Sequence, residues 1–497
     1  MQSSGWSVYW LKRDFRLEDN RALSAALAES ERVCAIYILE DWFLNAAETS
    51  HFHLDAVFSA LKHLHESIES RGGTLLVMKG RAENILPELH RQFPFENMYS
   101  HQEHGARASF DRDKKIKSWC AGAGVHWHEF RQSGVFRGLK NRDQRQRLWQ
   151  KFTFEPLLPE PQGLHRLAVP ETWQTNSNLI ALQPESFDLS SPGQPLWQEV
   201  NEAAAKATLT DFLTSRGLLY RGGISSPNTA FEAGSRLSVH FAWGTLTSRS
   251  AYQRTVQRMR ELKESSDPQA GRWRSSVRNF LSRLHWRDHF IQRLEDEPQM
   301  EFTPLNVAYE QLEYENDPGL LEAWQNGYTG WPMVDACMRC LNATGFINFR
   351  MRAMLTSVAC HALHLDWRLI HPHLAGVFRD YEPGIHFSQL QMQASVVGIN
   401  TVRVYSPQKQ LLDQDPELKF VRRWVPELRE KNNTAILAHY KLPTAGYPAP
   451  VVNWKHRTAI MKDRIFRIRK QEKTRELAAR VYEKHGSRKR GRSGRNQ

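Results

Sequence analysis

The sequence predicts an N-terminal α/β domain with a doubly wound parallel sheet, followed by an all-α domain. Short apolar runs alternate with amphipathic segments in residues 1–135, which is typical of a parallel sheet covered by helices. After residue 200 the strand signal disappears, and helical periodicity broken by Gly and Pro continues to Tyr482. A chain of 497 residues also exceeds the roughly 250 to 300 residues that one core supports.

The α/β pattern of residues 1–135 contains four predicted strands. They run from Trp6 to Leu11, Val33 to Leu39, Thr74 to Met78 and Asn97 to Ser100. Helical periodicity separates them, from Asn20 to Leu27, from Phe52 to Ile68 and after Arg81. Such sheets bind ligands at the carboxyl ends of their strands, so a small molecule is expected there. The glycine pattern of dehydrogenase-type dinucleotide sites does not follow any of these strands.

The rest of the chain divides into three predicted segments. Residues 136–200 are irregular and proline-containing, which is typical of an inter-domain connector. Residues 201–482 are predicted to form the all-helical domain. Residues 483–497 are strongly basic and lose their apolar side chains, so they are expected to form a disordered tail; auxiliary contact with phosphates is the alternative.

The charge balance favours a polyanionic partner. Lys and Arg number 67 against 54 Asp and Glu, a formal net charge of +13, and nucleic acid is the first candidate. No apolar run approaches the roughly 20 residues that span a bilayer. Nothing in the composition calls for an obligate protein partner.

The five cysteines are too few and too scattered for a disulfide framework. Without a secretory signal at the N-terminus, a reducing cytoplasm is expected. Cys337 and Cys340 have metal-like spacing, but only Cys360 is near and a four-thiolate site is short of ligands, so structural thiols and no metal are predicted.

A stretch from Asn342 to Arg403 places polar residues where a buried, charged cofactor would need them. Arg350 and Arg352 stand among apolar residues, and an arginine in such surroundings needs an acceptor. Asp380 and Glu382 are the nearby candidates. A helical core with satisfied surface arginines is the alternative explanation of this segment.

A Gly-Ser stretch that opens a helix, Gly234-Ser235-Arg236-Leu237-Ser238, offers hydroxyls and unpaired N–H groups to a phosphate. Together with motifs elsewhere, it resembles the photolyase/cryptochrome family. The other motifs, in chain order, are Trp10-Leu11-Lys12-Arg13-Asp14-Phe15-Arg16, Trp286-Arg287, Thr329-Gly330-Trp331-Pro332, Asn348-Phe349-Arg350-Met351-Arg352, Asp366-Trp367-Arg368 and Arg423-Trp424-Val425-Pro426. The resemblance covers nearly the whole chain, and the shared order is more specific than any single motif.

The resemblance implies a helical domain that buries FAD in a bent shape. It also implies an α/β domain that holds an antenna chromophore of folate, deazaflavin or flavin type. Arg352 and Asp380 match the ion pair beside the isoalloxazine ring, whose positive member can stabilise an anionic reduced flavin. The positions that match FAD contacts are Tyr220, Ser235, Arg236, Leu237, Ser238, Arg352, Asp380, Tyr381 and Glu382.

The reaction implied is blue-light-driven electron transfer from reduced flavin to a pyrimidine dimer flipped out of DNA. Such a site needs aromatic walls that stack on bases and a basic rim for the backbone. The residues expected to act in catalysis are Trp286, Asn348, Arg352 and Asp380. The expected DNA contacts are Arg283, Trp286, Arg287, Arg350, Met392 and Arg423.

Departures from the family pattern concern both lesion binding and flavin reduction. Arg283 stands where repairing members carry a glutamate, and Met392 occupies an aromatic position. Phe349 falls where a polar residue faces flavin N5, unless a one-residue shift gives that place to Asn348. In the electron-transfer chain Leu390 replaces the tryptophan nearest the flavin, while Trp367 keeps the middle place and Tyr314 the outer one. Trp324 and Trp331 are alternative electron donors.

The leading functional hypothesis is a deoxyribodipyrimidine photolyase-like lyase that repairs UV-induced lesions in DNA. A cryptochrome-type blue-light photoreceptor that binds FAD without repair is the main alternative, and the substitutions at Arg283, Phe349 and Met392 favour it. A third hypothesis is a flavin-free nucleic-acid-binding protein. The basic surplus and Trp286 favour the enzyme.

Overall fold

The structure, a computed structural model, describes residues 5–165, 167, 169, 173 and 197–486. Its N-terminal part is a five-stranded, all-parallel sheet in the order β3-β2-β1-β4-β5. The strands are β1 Trp6–Leu11, β2 Arg32–Glu40, β3 Thr74–Gly80, β4 Asn97–His101 and β5 His126–Phe130. The helices around them are α1 Arg21–Glu29, α2 Asp41–Leu44, α3 His51–Glu69, α4 Ala82–Gln92 and α5 Arg107–Ala123. The predicted α/β class and the four predicted strands are confirmed.

Strand β1 is the centre of this sheet. All six of its residues are buried, and Val8 pairs with Cys34 on one side and Met98 on the other. Buried on both faces, such a strand reads as a continuous apolar run. Strand β5 was missed because its sequence, His-Trp-His-Glu-Phe, is polar. It is partly exposed at the edge of the sheet, where burial does not require an apolar run.

The described residues of the C-terminal part form helices joined by loops, and no strand lies among them. Its helices are α6 Arg145–Phe154, α7 Glu202–Thr214, α8 Tyr220–Gly223, α9 Ala230–Ala233, α10 Ser238–Trp243, α11 Ser248–Glu264, α12 Ala270–Asp296, α13 Pro318–Asn326, α14 Pro332–Thr344, α15 Phe349–His361, α16 Trp367–Val377, α17 Pro383–Gln393, α18 Pro407–Gln414, α19 Lys419–Trp424, α20 Asn433–Ala438, α21 Trp454–Lys470 and α22 Glu472–His485. Short 3₁₀ turns lie at Arg142–Gln144, Arg216–Leu219, Pro298–Glu301, Val307–Gln311 and Pro426–Leu428. The predicted all-α character of this part is confirmed.

Two expectations about irregular segments need correction. Helix α6 lies within the segment predicted as connector, because Trp149 and Phe152 bury an apolar face against neighbouring residues. Helix α22 extends to His485, within the predicted tail, since Lys484 and His485 both contact the carboxylate of Glu297. The rest of the tail, residues 487–497, lies outside the described residues, as does most of the proline-rich part of the connector.

A buried ion pair joins the α/β sheet region to the helical region. Asp19, in the loop after β1, accepts hydrogen bonds from the Thr247 hydroxyl at 2.7 Å and from Arg249 Nε at 3.1 Å. The side chains of Asp19 and Arg249 are both almost fully buried, so each charge needs the other as its counter-ion. The same loop carries Arg13, whose guanidinium reaches the backbone carbonyl of Tyr381 at 3.5 Å.

Among the described helices, none combines the length and apolar character that crossing a bilayer requires.

Three buried histidines make the fold sensitive to acid. Burial is the main cause that lowers the pKa of His53 and of His361 to about 4, and that of His240 to about 3. Below their ordinary value of 6.5, the unfolded chain binds protons that the folded protein does not. Stability is therefore lost as the pH falls from about 6.5 to about 4, by on the order of 1 kcal/mol per histidine at about pH 5.5.

Urea unfolding followed by far-UV circular dichroism at about pH 7.5 and about pH 5.5 measures this effect. The unfolding midpoint falls at the lower pH, and the triple substitution of the three histidines by Gln removes part of the fall. Equal midpoints at the two pH values in the wild-type protein contradict the assignment.

Candidate functional site

The Arg352–Asp380 ion pair lies at the centre of the helical region. Arg352 Nη1 donates to Asp380 Oδ1 at 2.9 Å, and Nη2 donates to Oδ2 at 3.1 Å. Nε donates to the Ile347 carbonyl at 2.8 Å, and the guanidinium lies 4.2 Å from the ring centre of Phe378. This two-point geometry is the strongest form of an arginine–carboxylate contact. It fixes α15 to the turn between α16 and α17.

A cavity beside the pair brings the Gly-Ser stretch to the same place. Its walls include Arg236, Ser238, Gly345, Arg379 and Asp380. Arg236 has a φ of +59°, and its guanidinium lies 4.0 Å from the ring centre of Phe231. Burial, followed by the charge of Arg216, lowers the pKa of Arg236. The nearby carboxylates therefore do not fully offset the positive charge at this wall of the cavity. That chemistry fits a phosphate or pyrophosphate group.

Asn348 is buried behind the pair and retains an unused acceptor. Its Nδ2 donates to the carbonyls of Ile224 at 3.1 Å and Ser225 at 2.6 Å, which ties α15 to the loop before the Gly-Ser stretch. Its Oδ1 is buried and has no partner among the described residues. A buried orphan acceptor fits a ligand that donates a hydrogen bond. Phe349 is instead 47% exposed. The two candidates for the position that faces flavin N5, Asn348 and Phe349, therefore differ: the first is buried and the second is exposed.

Tyr220 and Arg283 form a second contact near this loop. Burial is the main cause that raises the pKa of Tyr220 to about 12, and the adjacent Arg283 opposes the shift. The Arg283 guanidinium also lies 5.2 Å from the ring centre of Phe349. Arg283 therefore connects the buried tyrosine with the exposed phenylalanine. Leu237 is fully buried in the neighbouring core, and its N–H donates to Ser235 Oγ at 3.4 Å.

Glu382 belongs to a separate cavity between the two parts of the protein. Burial raises its pKa, while Arg287 and Arg13 oppose that rise. Arg287 Nη2 lies 3.4 Å from Glu382 Oε2, and its Nη1 donates to Asp288 Oδ1 at 2.9 Å. These acids hold the partly buried guanidinium of Arg287 in place. The contact of Arg287 with DNA stays a prediction.

A buried relay of titratable groups beside Tyr381 was missed. His371 Nδ1 and His386 Nε2 are 2.9 Å apart, and His371 Nε2 lies 2.9 Å from Glu48 Oε1. The ring of Tyr381 lies 5.2 Å from that of His386. The two histidines were visible in the sequence, but their partner Glu48 lies 323 residues away from His371.

An exposed face combines aromatic rings with arginines. Trp286 is 40% exposed and stacks on Phe290 at 5.7 Å. Arg283 precedes Trp286 by one helical turn on α12 and contacts Phe349, which Arg350 also approaches. We call Arg283, Trp286, Phe349 and Arg350 the aromatic face. Of the remaining expected DNA contacts, Met392 lies on α17, and Arg423 lies against Trp424.

The residues expected to carry electrons lie in the large helical core. Leu390 and Trp367 are both buried there, and Tyr314 packs against the same core. The Tyr314 hydroxyl is buried without a partner among the described residues, and burial raises its pKa well above the ordinary value. The two alternative electron donors, Trp324 and Trp331, are both buried. The ring centre of Trp331 lies 5.5 Å from that of Trp454.

The α/β region has a cavity of its own at the carboxyl ends of β1 and β2. Trp10, Lys12, Tyr37, Glu40 and Arg112 are among the residues that line it. Lys12 Nζ lies 4.6 Å from the Trp10 ring centre, and the Arg112 guanidinium lies 4.9 Å from the same ring. An aromatic wall with flanking cations suits a planar ligand.

Family models match both parts of the chain. Residues 280–467 match the FAD binding domain of DNA photolyase, and residues 7–153 match DNA photolyase. The chain is 26% identical over 474 residues to a deoxyribodipyrimidine photo-lyase of Synechococcus sp., covering 90% of this chain and 93% of that protein. It is 23% identical over 482 residues to a cryptochrome DASH of Synechocystis sp., covering 90% and 95%.

Solved structures show the same architecture. A photolyase from Sulfolobus tokodaii, described with two FAD molecules and a novel light-harvesting cofactor, superposes with a TM-score of 0.78 at 26% identity. The match covers 93% of this chain and 100% of that one. The two-part fold and the two family models define the class as FAD-binding flavoproteins of the photolyase type. This chain belongs to the photolyase/cryptochrome family, and its cofactor is FAD.

Replacing Asn348 with Leu removes both hydrogen bonds to the 224–225 loop and leaves two carbonyls without donors. The free energy of unfolding is expected to fall by about 2 to 3 kcal/mol, and flavin retained on purification is expected to fall with it. Urea unfolding and the flavin-to-protein absorbance ratio measure the two effects. Asn45→Ala, at an exposed amide that donates to Asp41 O, is the control. Unchanged stability and flavin content in Asn348→Leu contradict this role.

Proposed function

We propose that this protein is a blue-light-dependent lyase that repairs UV-induced pyrimidine lesions in DNA. The aromatic face is the observation that carries the proposal. Exposed Trp286 and Phe349 lie together with Arg283 and Arg350 on the surface. Base stacking needs exposed rings, and a nucleic-acid backbone needs cations beside them. When bound and reduced, FAD supplies the electron for such a reaction.

The residues of the helical cavity hold and orient the cofactor in this proposal. Arg352, held by Asp380, would supply a fixed positive charge that stabilises an anionic flavin. Arg236 and Ser238, which line the cavity, would bind the phosphates together with the adjacent Ser235, and Tyr220 would be a further cofactor contact. Asn348 offers its free Oδ1 as an acceptor. The Trp10 cavity of the α/β region takes the antenna chromophore.

Groups next to the cavity control protons and charge. Glu382 is held between Arg287 and Arg13, and burial favours its neutral form. The Glu48–His371–His386 relay offers a hydrogen-bonded path from a partly exposed carboxylate to His386, whose ring packs against that of Tyr381. In this proposal these groups keep the cavity electrically balanced as its charge changes.

A photoreceptor without repair activity is the second candidate. Arg283, beside Tyr220 and Phe349, is a cation at a position where the family resemblance implies an acid in repairing members. Leu390 is buried in the core and cannot be oxidised as tryptophan can. Similarity to a cryptochrome DASH is compatible with either function.

Light-dependent loss of cyclobutane or (6-4) lesions from a UV-damaged oligonucleotide tests the proposal. Reduced wild-type protein is expected to remove lesions under blue light and not in darkness.

Trp286→Ala removes a stacking ring, and the affinity for damaged DNA is expected to fall about tenfold or more. Flavin content is expected to stay unchanged in this variant.

Phe466→Ala is the matched control, since Phe466 is 44% exposed on α21 and lies outside the aromatic face. Absence of light-dependent repair in flavin-loaded wild-type protein sinks the lyase proposal in favour of the photoreceptor. Equal DNA affinity in Trp286→Ala and wild-type protein contradicts the role of the aromatic face.

A further inference from the structure

Five basic side chains meet where the segment around α6 crosses helix α12. They are Arg142, Arg145, His285, His289 and Arg293, and we call them the basic cluster. His285, His289 and Arg293 are four residues apart in turn, so they share one face of α12. Arg145, His289 and Arg293 are between 4% and 6% exposed. The cluster therefore holds positive charge inside the protein.

Two buried arginines of the cluster lack acceptors. Nε and Nη2 of Arg145, and Nε and Nη1 of Arg293, have no hydrogen-bond partner among the described residues. Their remaining nitrogens contact imidazoles: Arg145 Nη1 lies 3.5 Å from His285 Nε2, and Arg293 Nη2 lies 3.4 Å from His289 Nε2. A buried guanidinium without an acceptor is strongly unfavourable.

His289 cannot satisfy both of its arginine neighbours. Arg142 Nη2 lies 3.2 Å from Nδ1, and Arg293 Nη2 approaches Nε2. A neutral imidazole accepts at one nitrogen and donates at the other. Burial, followed by the charges of Arg293 and Arg142, lowers the pKa of His289 to about 2, so the ring is neutral. One arginine N–H therefore faces an N–H of the ring.

The nearby carboxylates are engaged elsewhere. Asp288 accepts from Gly134 N at 3.1 Å, Trp149 Nε1 at 2.8 Å and Arg287 Nη1 at 2.9 Å. Asp296 Oδ1 accepts from Gln292 at 2.8 Å, and burial raises the pKa of Asp296 to about 6. On α22, Lys484 and His485 share Glu297.

Neither Arg145 nor Arg293 forms an ion pair within the described part of the chain, although both remain protonated at neutral pH. Burial lowers the pKa of each to about 10, which is still well above 7. The charges of Arg145 and Arg293 are therefore not neutralised by an ion pair among the described residues.

We propose that the basic cluster binds an oxyanion of the phosphate type. Planar guanidinium groups present paired N–H donors that match phosphate oxygens, and the four unused nitrogens supply them. A bound anion gives both Arg145 and Arg293 an acceptor that the described residues do not supply. The site lies one helical turn from Trp286, whose ring is 5.3 Å from that of His289. Either a DNA backbone phosphate or a free phosphate meets these requirements, and binding requires neither flavin nor light.

Calorimetric titration of the flavin-loaded full chain with inorganic phosphate tests the site, with acetate at equal ionic strength as the comparison anion. One phosphate per chain is expected to bind more tightly than acetate. Arg145→Leu and Arg293→Leu are each expected to weaken phosphate binding about tenfold or more. Arg91→Leu, which removes a surface ion pair, is expected to leave binding unchanged. No phosphate binding, or equal binding in all variants, overturns the proposal.

A second readout does not depend on the folding of the variants. In the wild-type protein the ¹⁵N resonances of the His289 ring are expected to shift with phosphate and not with acetate. Unshifted resonances at saturating phosphate overturn the site, whatever the variants do. A short undamaged oligonucleotide that displaces phosphate identifies the DNA backbone as the source. If phosphate stays bound when the oligonucleotide is saturating, free phosphate is the source.

Discussion

The bidentate contact between Arg352 and Asp380 is the interaction on which the helical region depends. It joins the start of α15 to the turn between α16 and α17, and the cavity beside it reaches the Gly-Ser stretch. A charged pair in this setting is stable only while each partner keeps the other. The same ion pair therefore fixes the helices around the cavity and places a positive charge beside it. An anionic cofactor adds an acceptor beside a cation that is already oriented.

Helix α12 distributes the remaining chemistry over three sides. Arg283 and Trp286 belong to the aromatic face, Arg287 and Asp288 point toward the boundary between the two regions, and the basic cluster occupies another side. With 27 residues, the helix is long enough to serve all three. A stacking ring and a buried anion site one turn apart would let a single rigid element position a base and a phosphate together.

Much of the fold was predictable because burial on both faces imposes continuous apolar runs. The edge strand β5 escaped detection because partial exposure tolerates His and Glu. The pairing of Arg352 with Asp380 followed from arginines in apolar surroundings together with the family resemblance. The contact of Arg287 with Glu382 was not predicted, because the two residues are 95 positions apart in the sequence. The basic cluster could not be predicted either, because Arg145 is 140 residues from His285 in the sequence. Local periodicity carries no information about contacts between residues so far apart.

A double-mutant cycle on FAD affinity tests the central claim most directly. The free energy of FAD binding is compared among wild-type protein, Arg352→Leu, Asp380→Leu and the double variant, with circular dichroism confirming that each is folded. If the pair acts as one clamp, each single substitution weakens binding nearly as much as both together, since the lone partner is left unpaired. Strictly additive losses, or FAD affinity unchanged in both single variants, would contradict the claim.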